Sequence, residues 1–533
     1  MKKIYGYDLY KKRTGNDFYT FIKDYLKFEE TGAELDVKLD LTEEFIQLVT
    51  KHKESTIAIF GDYDVDGISA SSIMYKGLKK FGIKDILTYI PNRFSDGYGM
   101  NNKMVTDAYE KEVKLIITVD NGIKAIEEVK MAKELGMDVI VTDHHLPGDV
   151  IPRADIVINP HIGKQNLKTG HICGAMIAYL LIQALLNGSD LKEEKFLAAM
   201  ATITDVMPLV YENRTLIKEI VERTRQDKTT YNKGLDYLFL KQGISFDTFS
   251  LETISFKIGP FLNTPGRLYK ADFSYDLLTS SLEKLPAIYD EITKLNQERK
   301  MQMETLKQNA MALLDKADLA NIIILDDANE GLIGILAGSI CEKTCKPTFI
   351  FAKTIEGVYK ASGRSPKWCD LSEVTKDFWQ EIMPLAYGGH ANAMGLTLKD
   401  ESDVLNFKAL LEAKIKDMPK DELKTYLRYP TGFSIKEVRD ILDKFAPFGE
   451  GNKEPSFAIT TKLDRPIIIG KKHSKFYFNI NNERIEGLQF YNIPAVGDGY
   501  YNVYFKINKE YSNYSKRIEY KFMIEEIEEY KVN

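Results

Sequence analysis

Residues 56–82 read TIAIFGDYDVDGISASSIMYKGLKKFG, and the fold turns on how this run divides. A short β-branched apolar segment stops at a glycine, three aspartates alternate across the next turn, and a stretch of helical composition follows at once. The order repeats downstream. KLIITV runs into DNG and IKAIEEVKMAKELG, MDVIV runs into TDHHLPG, and DIVIN runs into PH. Such strands alternating with helices from about Thr56 to Pro208 predict a parallel sheet with helices on both faces. Ligands of such sheets bind beyond the carboxyl ends of the strands, which is where each of these acidic or histidine clusters falls.

The clusters contribute Asp62, Asp64 and Asp66 from GDYDVDG, Asp120 from VDNG, and Asp143 beside His144 and His145. Asp205 joins them from the last turn of KEEKFLAAMATITD, where a negative charge opposes the helix dipole and so either frays into solvent or answers a cation, which makes it a candidate metal ligand. Five converging carboxylates, Asp62, Asp64, Asp66, Asp120 and Asp205, would repel one another and hold on to protons. Two divalent cations nearly cancel that charge. A calcium loop would need a twelve-residue frame closed by glutamate, whereas here Gly67 and a helix follow directly. Carboxylates mixed with imidazole suit manganese, or magnesium less comfortably. The chain has seven histidines, and two of them stand side by side. Neighbouring side chains on a strand point to opposite faces, so either the pair sits in a turn beyond the strand or one imidazole stands behind the ligands.

At 533 residues the chain divides into about three or four domains. Charged residues make up 28% and hydrophobic ones 44%, a globular composition, and no run approaches the ~20 apolar residues of a membrane span. A net charge of −6 argues against indiscriminate coating of nucleic acid but leaves room for a local basic groove. Four cysteines, Cys173, Cys341, Cys345 and Cys369, make no disulfide framework and no zinc tetrad, so reduced structural thiols and a cytoplasmic location are expected.

Further along, ICGAMIAYLLIQALLN (172–187) reads as a buried helix, and apolar spacing from Pro286 to about Asp318 predicts one long connector helix. A second α/β unit follows in NIIILDD, GLIGILAGSI, PTFIFA, YKASGRS and YGGHANAMG. Residues 430–455 read as a Pro/Gly-rich hinge, and the alternating tail from Ser456 as a small β-barrel. That tail interleaves Lys471, Lys472, Lys475, Lys506, Lys516 and Arg517 with Phe476, Tyr477, Phe490, Tyr501 and Tyr504, a pattern suited to stacking bases and pairing phosphates. Strand alternation must turn about half of those aromatics into the core.

GDYDVDG, TVDNG, TDHH and ITDVMPL stand in the order of the four phosphoesterase motifs of the DHH superfamily. SGRS, YGGHANAMG, PFGEGNKEP and the β-rich tail resemble the RecJ family of single-strand exonucleases, over about residues 40 to 530. The resemblance implies an N-terminal segment (1–40), a parallel-sheet DHH catalytic domain (41–230) and a linking helical region with the long connector helix (231–318). A second α/β domain of DHHA1 type (319–425) and an OB-like β-barrel (426–533) complete the chain. It implies a hydrolase with two Mn2+ (or Mg2+) that degrades single-stranded DNA from its 5′ end to mononucleotides. Asp66, Asp120, His144 and Asp205 would hold one metal; Asp62, Asp64 and again Asp66 or Asp120 the second. His145 would face the scissile phosphate, with Asp143 orienting an imidazole from behind. Arg93, Arg267, Ser362, Arg364 and the Gly388-Gly389-His390 backbone match positions that contact the substrate and its terminal phosphate. The implied partners are single-stranded DNA, a single-strand binding protein and a helicase, with a monomeric chain and no membrane.

Some residues depart from the family pattern. Phe60 replaces a common histidine, NTPGRL replaces Asn-Ala-Ala-Gly-Arg, and ANEGLIGILAGSI lacks a Trp-His pair and a later arginine. Two rival readings are a small-substrate phosphodiesterase of the same superfamily and a non-catalytic replication scaffold. The added tail speaks against the first, and the complete set of acids against the second.

Overall fold

The computed structural model describes the chain except residues 1, 30–34, 36, 164, 270, 316, 355–356, 420–423, 471, 482, 491, 498, 513–516 and 531–533. Two compact units emerge, one of residues 34–207 and 219–420 and one of residues 1–33, 208–218 and 421–533.

In the larger unit, five parallel strands stand in the order Ile86–Tyr89, Ile57–Phe60, Leu115–Val119, Asp138–Thr142 and Ile156–Ile158. IAIF and LIITV are buried at every residue, as strands covered on both faces must be. From Ile57–Phe60 the chain moves one way to Ile86–Tyr89, then returns past its start and continues the other way. The order therefore reverses between Ile57–Phe60 and Leu115–Val119, opening a crevice at their carboxyl ends. Gly61 through Asp66 and Asp120 follow those two ends directly.

The buried helix spans Gly174–Leu185, and Lys192–Thr204 ends with Asp205 at its C-cap. The connector helix runs Leu285–Ala312 and buries only Leu285, Ile292 and Ala310, so little tertiary packing extends it to the Asp318 expected from apolar spacing. A second five-stranded sheet is ordered Ala386–His390, Ala393–Leu398, Tyr359–Arg364, Thr348–Lys353 and Asn321–Leu325. Only Asn321–Leu325 and Thr348–Lys353 pair in parallel, joined through helix Glu330–Thr344. Among the described residues no helix is long and apolar enough to cross a membrane.

The smaller unit carries an eight-stranded mixed sheet. Lys2–Tyr5 lies parallel to Lys424–Arg428, and Tyr7, Phe18, Phe21 and Ile22 enter the same core as Phe445, Phe457, Phe505 and Phe522. The expected hinge is largely fixed. Ser434 and Glu437 cap each other reciprocally and start helix Ile435–Asp443, a Ser-x-x-Glu signal that Pro/Gly counting overlooks. Arg214 donates to the carbonyls of Phe445 (2.7 Å) and Ala446 (2.6 Å), and Asn452 donates to those of Phe445 (2.9 Å) and Pro447 (2.8 Å), so the following turn is held as well. Of the tail aromatics, Phe476 and Tyr504 are buried, while Tyr477 and Phe490 are exposed, with the Arg484 guanidinium 4.0 Å from the Tyr477 ring. Lys475 and Lys506 pair with Glu486 (2.8 Å) and Glu525 (3.8 Å), which lowers their value to a polyanion. Lys471 and Lys516 lie outside the described residues.

Candidate metal centre and terminal-phosphate cavity

Gly67 lets the chain after Ile57–Phe60 fold back on itself, since a Cβ there would stand 2.6 Å from the Asp62 carbonyl oxygen. Asp64 caps helix Val65–Phe81, its Oδ1 accepting from the amides of Asp66 (2.9 Å) and Gly67 (3.0 Å). That cap turns Asp66 inward, where its two oxygens accept from the amides of Gly174 and Ala175, each at 2.7 Å. Helix Gly174–Leu185 has no side chain capping its N-terminus, so its free amides fall to Asp66. Asp120 sits in the left-handed region (φ 62°), a conformation costly for a non-glycine residue and seen mostly at functional sites. Asn121 locks this turn by donating to the carbonyls of Phe60 and Val119, both at 2.9 Å. Only glycine suits position 174, because a Cβ would lie 2.6 Å from Asp120 Cβ.

His144 and His145 occupy the turn beyond strand Asp138–Thr142 and diverge. His144 Nε2 lies 3.0 Å from Asp120 Oδ1, 3.5 Å from Asp66 Oδ2 and 3.6 Å from Asp205 Oδ2. Two donors each ~2.1 Å from one octahedral ion stand about 3 Å apart, so this spacing suits shared coordination. His145 is 42% exposed against 10% for His144, and its Nδ1 lies 2.7 Å from Asp143 Oδ1. Asp143 is itself held by the amides of His144 (2.7 Å), His145 (3.0 Å) and Ile123 (3.0 Å). The imidazole that Asp143 orients is therefore His145.

Asp62, Asp64 and Asp120 offer ligand atoms within 4.8 Å of one another, as do Asp66, His144 and Asp205, the histidine through a ring nitrogen; Asp120, His144 and His145 form a third such group. Asp62 Oδ1, Asp120 Oδ1 and Asp205 Oδ2 are buried without a hydrogen-bond partner among the described residues, an arrangement that costs free energy unless cations lie between them. Burial raises the pKa of Asp62, Asp64, Asp120 and Asp205, and neighbouring carboxylates add to it: Asp64 on Asp62, and Asp66 first on the other three. Burial lowers the pKa of His144. Burial is the largest single influence on His145 as well, but the Asp143 hydrogen bond together with the charges of Asp143, Asp66 and Asp64 exceeds it and raises that imidazole. Five carboxylates, three of them carrying an orphaned oxygen, and one imidazole fit two divalent ions. The two imidazoles thus meet different carboxylates, His144 those of Asp66, Asp120 and Asp205, and His145 that of Asp143.

In the same unit, Arg93, Arg267, Ser362, Arg364 and Gly388 line one cavity of about 420 Å³. Arg364 Nη1 donates to Ser362 Oγ (3.0 Å) and the Gly363 carbonyl (2.7 Å), Arg267 Nη1 to the Gly331 carbonyl (3.2 Å), and Arg93 stacks 4.7 Å from the Tyr63 ring centroid. Among the described residues none of the three arginines forms an ion pair. Burial, then the Arg93 charge, pulls Arg267 down to about 10. Uncompensated arginines this close call for an anion. Gly389 and His390 lie exposed on the hairpin outside the lining, and a Cβ on Gly389 would meet the Ala393 carbonyl at 2.3 Å.

The DHH family, N-terminal domain, matches residues 56–205, the DHHA1 domain residues 319–417, and the RecJ OB domain residues 434–526. A single-stranded-DNA-specific exonuclease RecJ of Salmonella typhimurium is 30% identical over 468 residues, covering 80% of this chain and 79% of that protein. The chain belongs to the RecJ family. The RecJ of Bacillus subtilis is 32% identical over 457 residues, covering 82% of this chain and 56% of that protein, so the chain spans little more than half its length. The crystal structure of RecJ in complex with Mn2+ from Thermus thermophilus superposes with a TM-score of 0.82 at 26% identity, covering 96% of this chain and 76% of that one.

Against the RecJ pattern, the departures have local explanations. Phe60 is fully buried against Tyr89, with ring centroids 4.9 Å apart, and offers no donor. NTPGRL still delivers Arg267: Asn263 Oδ1 accepts from the Val65 amide (3.1 Å), and Gly266 passes so close that a Cβ would lie 2.7 Å from the Tyr63 carbonyl oxygen. Asn329, in the segment that lacks the Trp-His pair, caps helix Glu330–Thr344, its Oδ1 accepting from the Gly331 amide at 2.8 Å.

Sequence reading missed four contributors to this RecJ-type site: Asn121, Asn263, the Gly174–Ala175 amides, and Tyr98. The Tyr98 hydroxyl donates to the Asp120 carbonyl (3.1 Å) and lies 3.3 Å from the His145 ring nitrogens. One signal was available. An apolar helix that begins at Cys173-Gly174 with no Ser, Thr, Asp or Asn to cap it leaves its amides for a distant partner.

Proposed function

We propose that the chain is a two-metal exonuclease that hydrolyses single-stranded DNA from the 5′ end and releases mononucleotides. The observation that carries this is Asp120 at the sheet's reversal point, grouped with Asp62 and Asp64 and 3.0 Å from the His144 imidazole of the Asp66, His144 and Asp205 group, in the same compact unit as a cavity lined by arginines without ion-pair partners. Relatives named single-stranded-DNA-specific exonucleases support the substrate. A terminal-phosphate cavity supports the polarity.

Asp62, Asp64 and Asp120 would hold one ion, and Asp66, His144 and Asp205, with Asp120 alongside, the other. Bound there, the ions supply activated water and neutralise charge on the attacking and leaving oxygens. Asp120 keeps the two groups in register through its fixed left-handed turn. Asp143 accepts from His145 Nδ1, fixes the ring's direction and favours its protonated form, so that Nε2 of the imidazolium donates to a phosphoryl oxygen as charge builds there. Arg364 and Ser362, with Arg93 and Arg267, hold the terminal phosphate and thereby set which phosphodiester lies at the centre. Because the substrate must be unpaired, a helicase and a single-strand binding protein are the partners that would supply it from duplex DNA.

The test is a single strand labelled at either end and degraded in manganese. The 5′ label should appear at once as mononucleotide and the 3′ label only in progressively shorter fragments; the reverse order rejects the polarity. Arg364→Ala should lower kcat/KM on 5′-phosphorylated strands by about 10- to 100-fold, the worth of a charge-assisted phosphate contact. On 5′-hydroxyl strands the same substitution should have little effect, and an equal loss on both ends would remove Arg364 from the terminal phosphate.

A further inference from the structure

The arginine-lined cavity also contains a carboxylate. Glu330, in the first turn of helix Glu330–Thr344, accepts from Lys360 Nζ at 2.9 and 3.1 Å, and both residues line the cavity. Lys360, Ser362 and Arg364 alternate with buried residues along strand Tyr359–Arg364, so the three project from one face. At ~3.3 Å per residue, Lys360 and Arg364 stand roughly 13 Å apart along the strand. The cavity thus holds three arginines without ion pairs and a fourth cation, Lys360, already taken by an acid.

Two ordinary explanations for Glu330 are weak. An acid in a helix's first turn gains modestly from the dipole, and any position in that turn outside the cavity would serve as well. As a structural tie the pair is poor, because its side chains are 30% and 43% exposed and such pairs contribute little. Placing a negative charge in an anion cavity works against binding, and specificity is the common reason for an unfavourable charge. Volume cannot supply that specificity here. About 420 Å³ leaves room beyond a single phosphate, so a longer phosphate chain has to be refused by charge.

We propose that Glu330 is a specificity determinant: by occupying Lys360 and repelling further negative charge, it limits the cavity to a 5′-monophosphate and excludes ends carrying a di- or triphosphate. The proposal rests on the reading of the cavity as the terminal-phosphate site.

One oligodeoxynucleotide sequence prepared with a 5′-hydroxyl, monophosphate or triphosphate end provides the test, with kcat/KM measured for the full chain in manganese. The wild type should favour monophosphate over triphosphate by about tenfold or more. Glu330→Gln should shrink that preference about tenfold, with the monophosphate still favoured over the hydroxyl end. Lys360→Met, which leaves Glu330 unneutralised, should widen the preference, and it serves independently if Glu330→Gln fails to fold. An unaltered monophosphate-to-triphosphate ratio in the folded variants, with monophosphate still preferred over hydroxyl, overturns this proposal alone. Equal rates on hydroxyl and monophosphate ends in the wild type overturn the terminal-phosphate reading, and this proposal with it.

Discussion

Asp120→Asn is expected to abolish hydrolysis and, in the same protein, to raise the melting temperature measured without divalent ions. Asp120 belongs to one carboxylate group and stands 3.0 Å from the imidazole of the other, so its loss should disable both cation positions. Losing several kcal/mol of charge stabilisation corresponds to a rate loss on the order of 10³-fold or more. Stability should move the other way, because burial and then the charges of Asp66, Asp64, Asp62 and Asp205 all disfavour the ionised form of Asp120. Asparagine keeps the shape that fits against Gly174 and removes the charge. In EDTA the variant should melt roughly 2–4 °C above the wild type, the shift that about 1 kcal/mol produces in a domain of moderate size. Manganese at about 100 times its dissociation constant should then stabilise the wild type by about 2.7 kcal/mol and the variant far less. Retained turnover in manganese, or a variant that melts below the wild type in EDTA, would contradict the shared-ligand reading.

His145→Ala should lower kcat by about 10²- to 10³-fold while manganese binding by calorimetry stays close to wild type. The rate loss is what removing one preorganised donor to a developing oxyanion costs. Occupancy should survive because the His145 Nδ1 is committed to Asp143 and its ring is the more exposed of the pair, whereas His144 faces Asp66, Asp120 and Asp205. Asp143→Asn should fall between the wild type and His145→Ala, at roughly 10- to 100-fold, since it only positions the ring. The rival assignment is concrete: His145 also comes within ligand range of Asp120 and His144. Calorimetry showing manganese lost in step with rate would favour that rival and remove His145 from the phosphate.

The same residues show how far local sequence reaches. GDYDVDG, VDNG and TDHH could be placed at strand ends because strand, turn and helix leave periodic marks within ten residues of one another. Asp66 meeting the Gly174 and Ala175 amides spans more than a hundred positions and leaves no such mark. The adjacent histidines posed a question that composition could pose but not answer; His144 turned inward and His145 outward only once three carboxylates and Asp143 were in place around them. The supposed hinge after Pro430 was misjudged for the converse reason, since Pro and Gly counts hid a capping box and an arginine 231 positions upstream of the carbonyl it binds.

Alternating hydrophobicity and turn chemistry act between near neighbours, and so the amino-acid order alone determined that a parallel sheet forms and that its acids and imidazoles gather at the strands' carboxyl ends. Which oxygen remains unpartnered, which imidazole meets the Asp66, Asp120 and Asp205 carboxylates, and that Glu330 shares a cavity with three arginines were decided only by tertiary packing. Burial and electrostatic repulsion act through space between residues far apart in the chain, and they take effect only once the fold has excluded water.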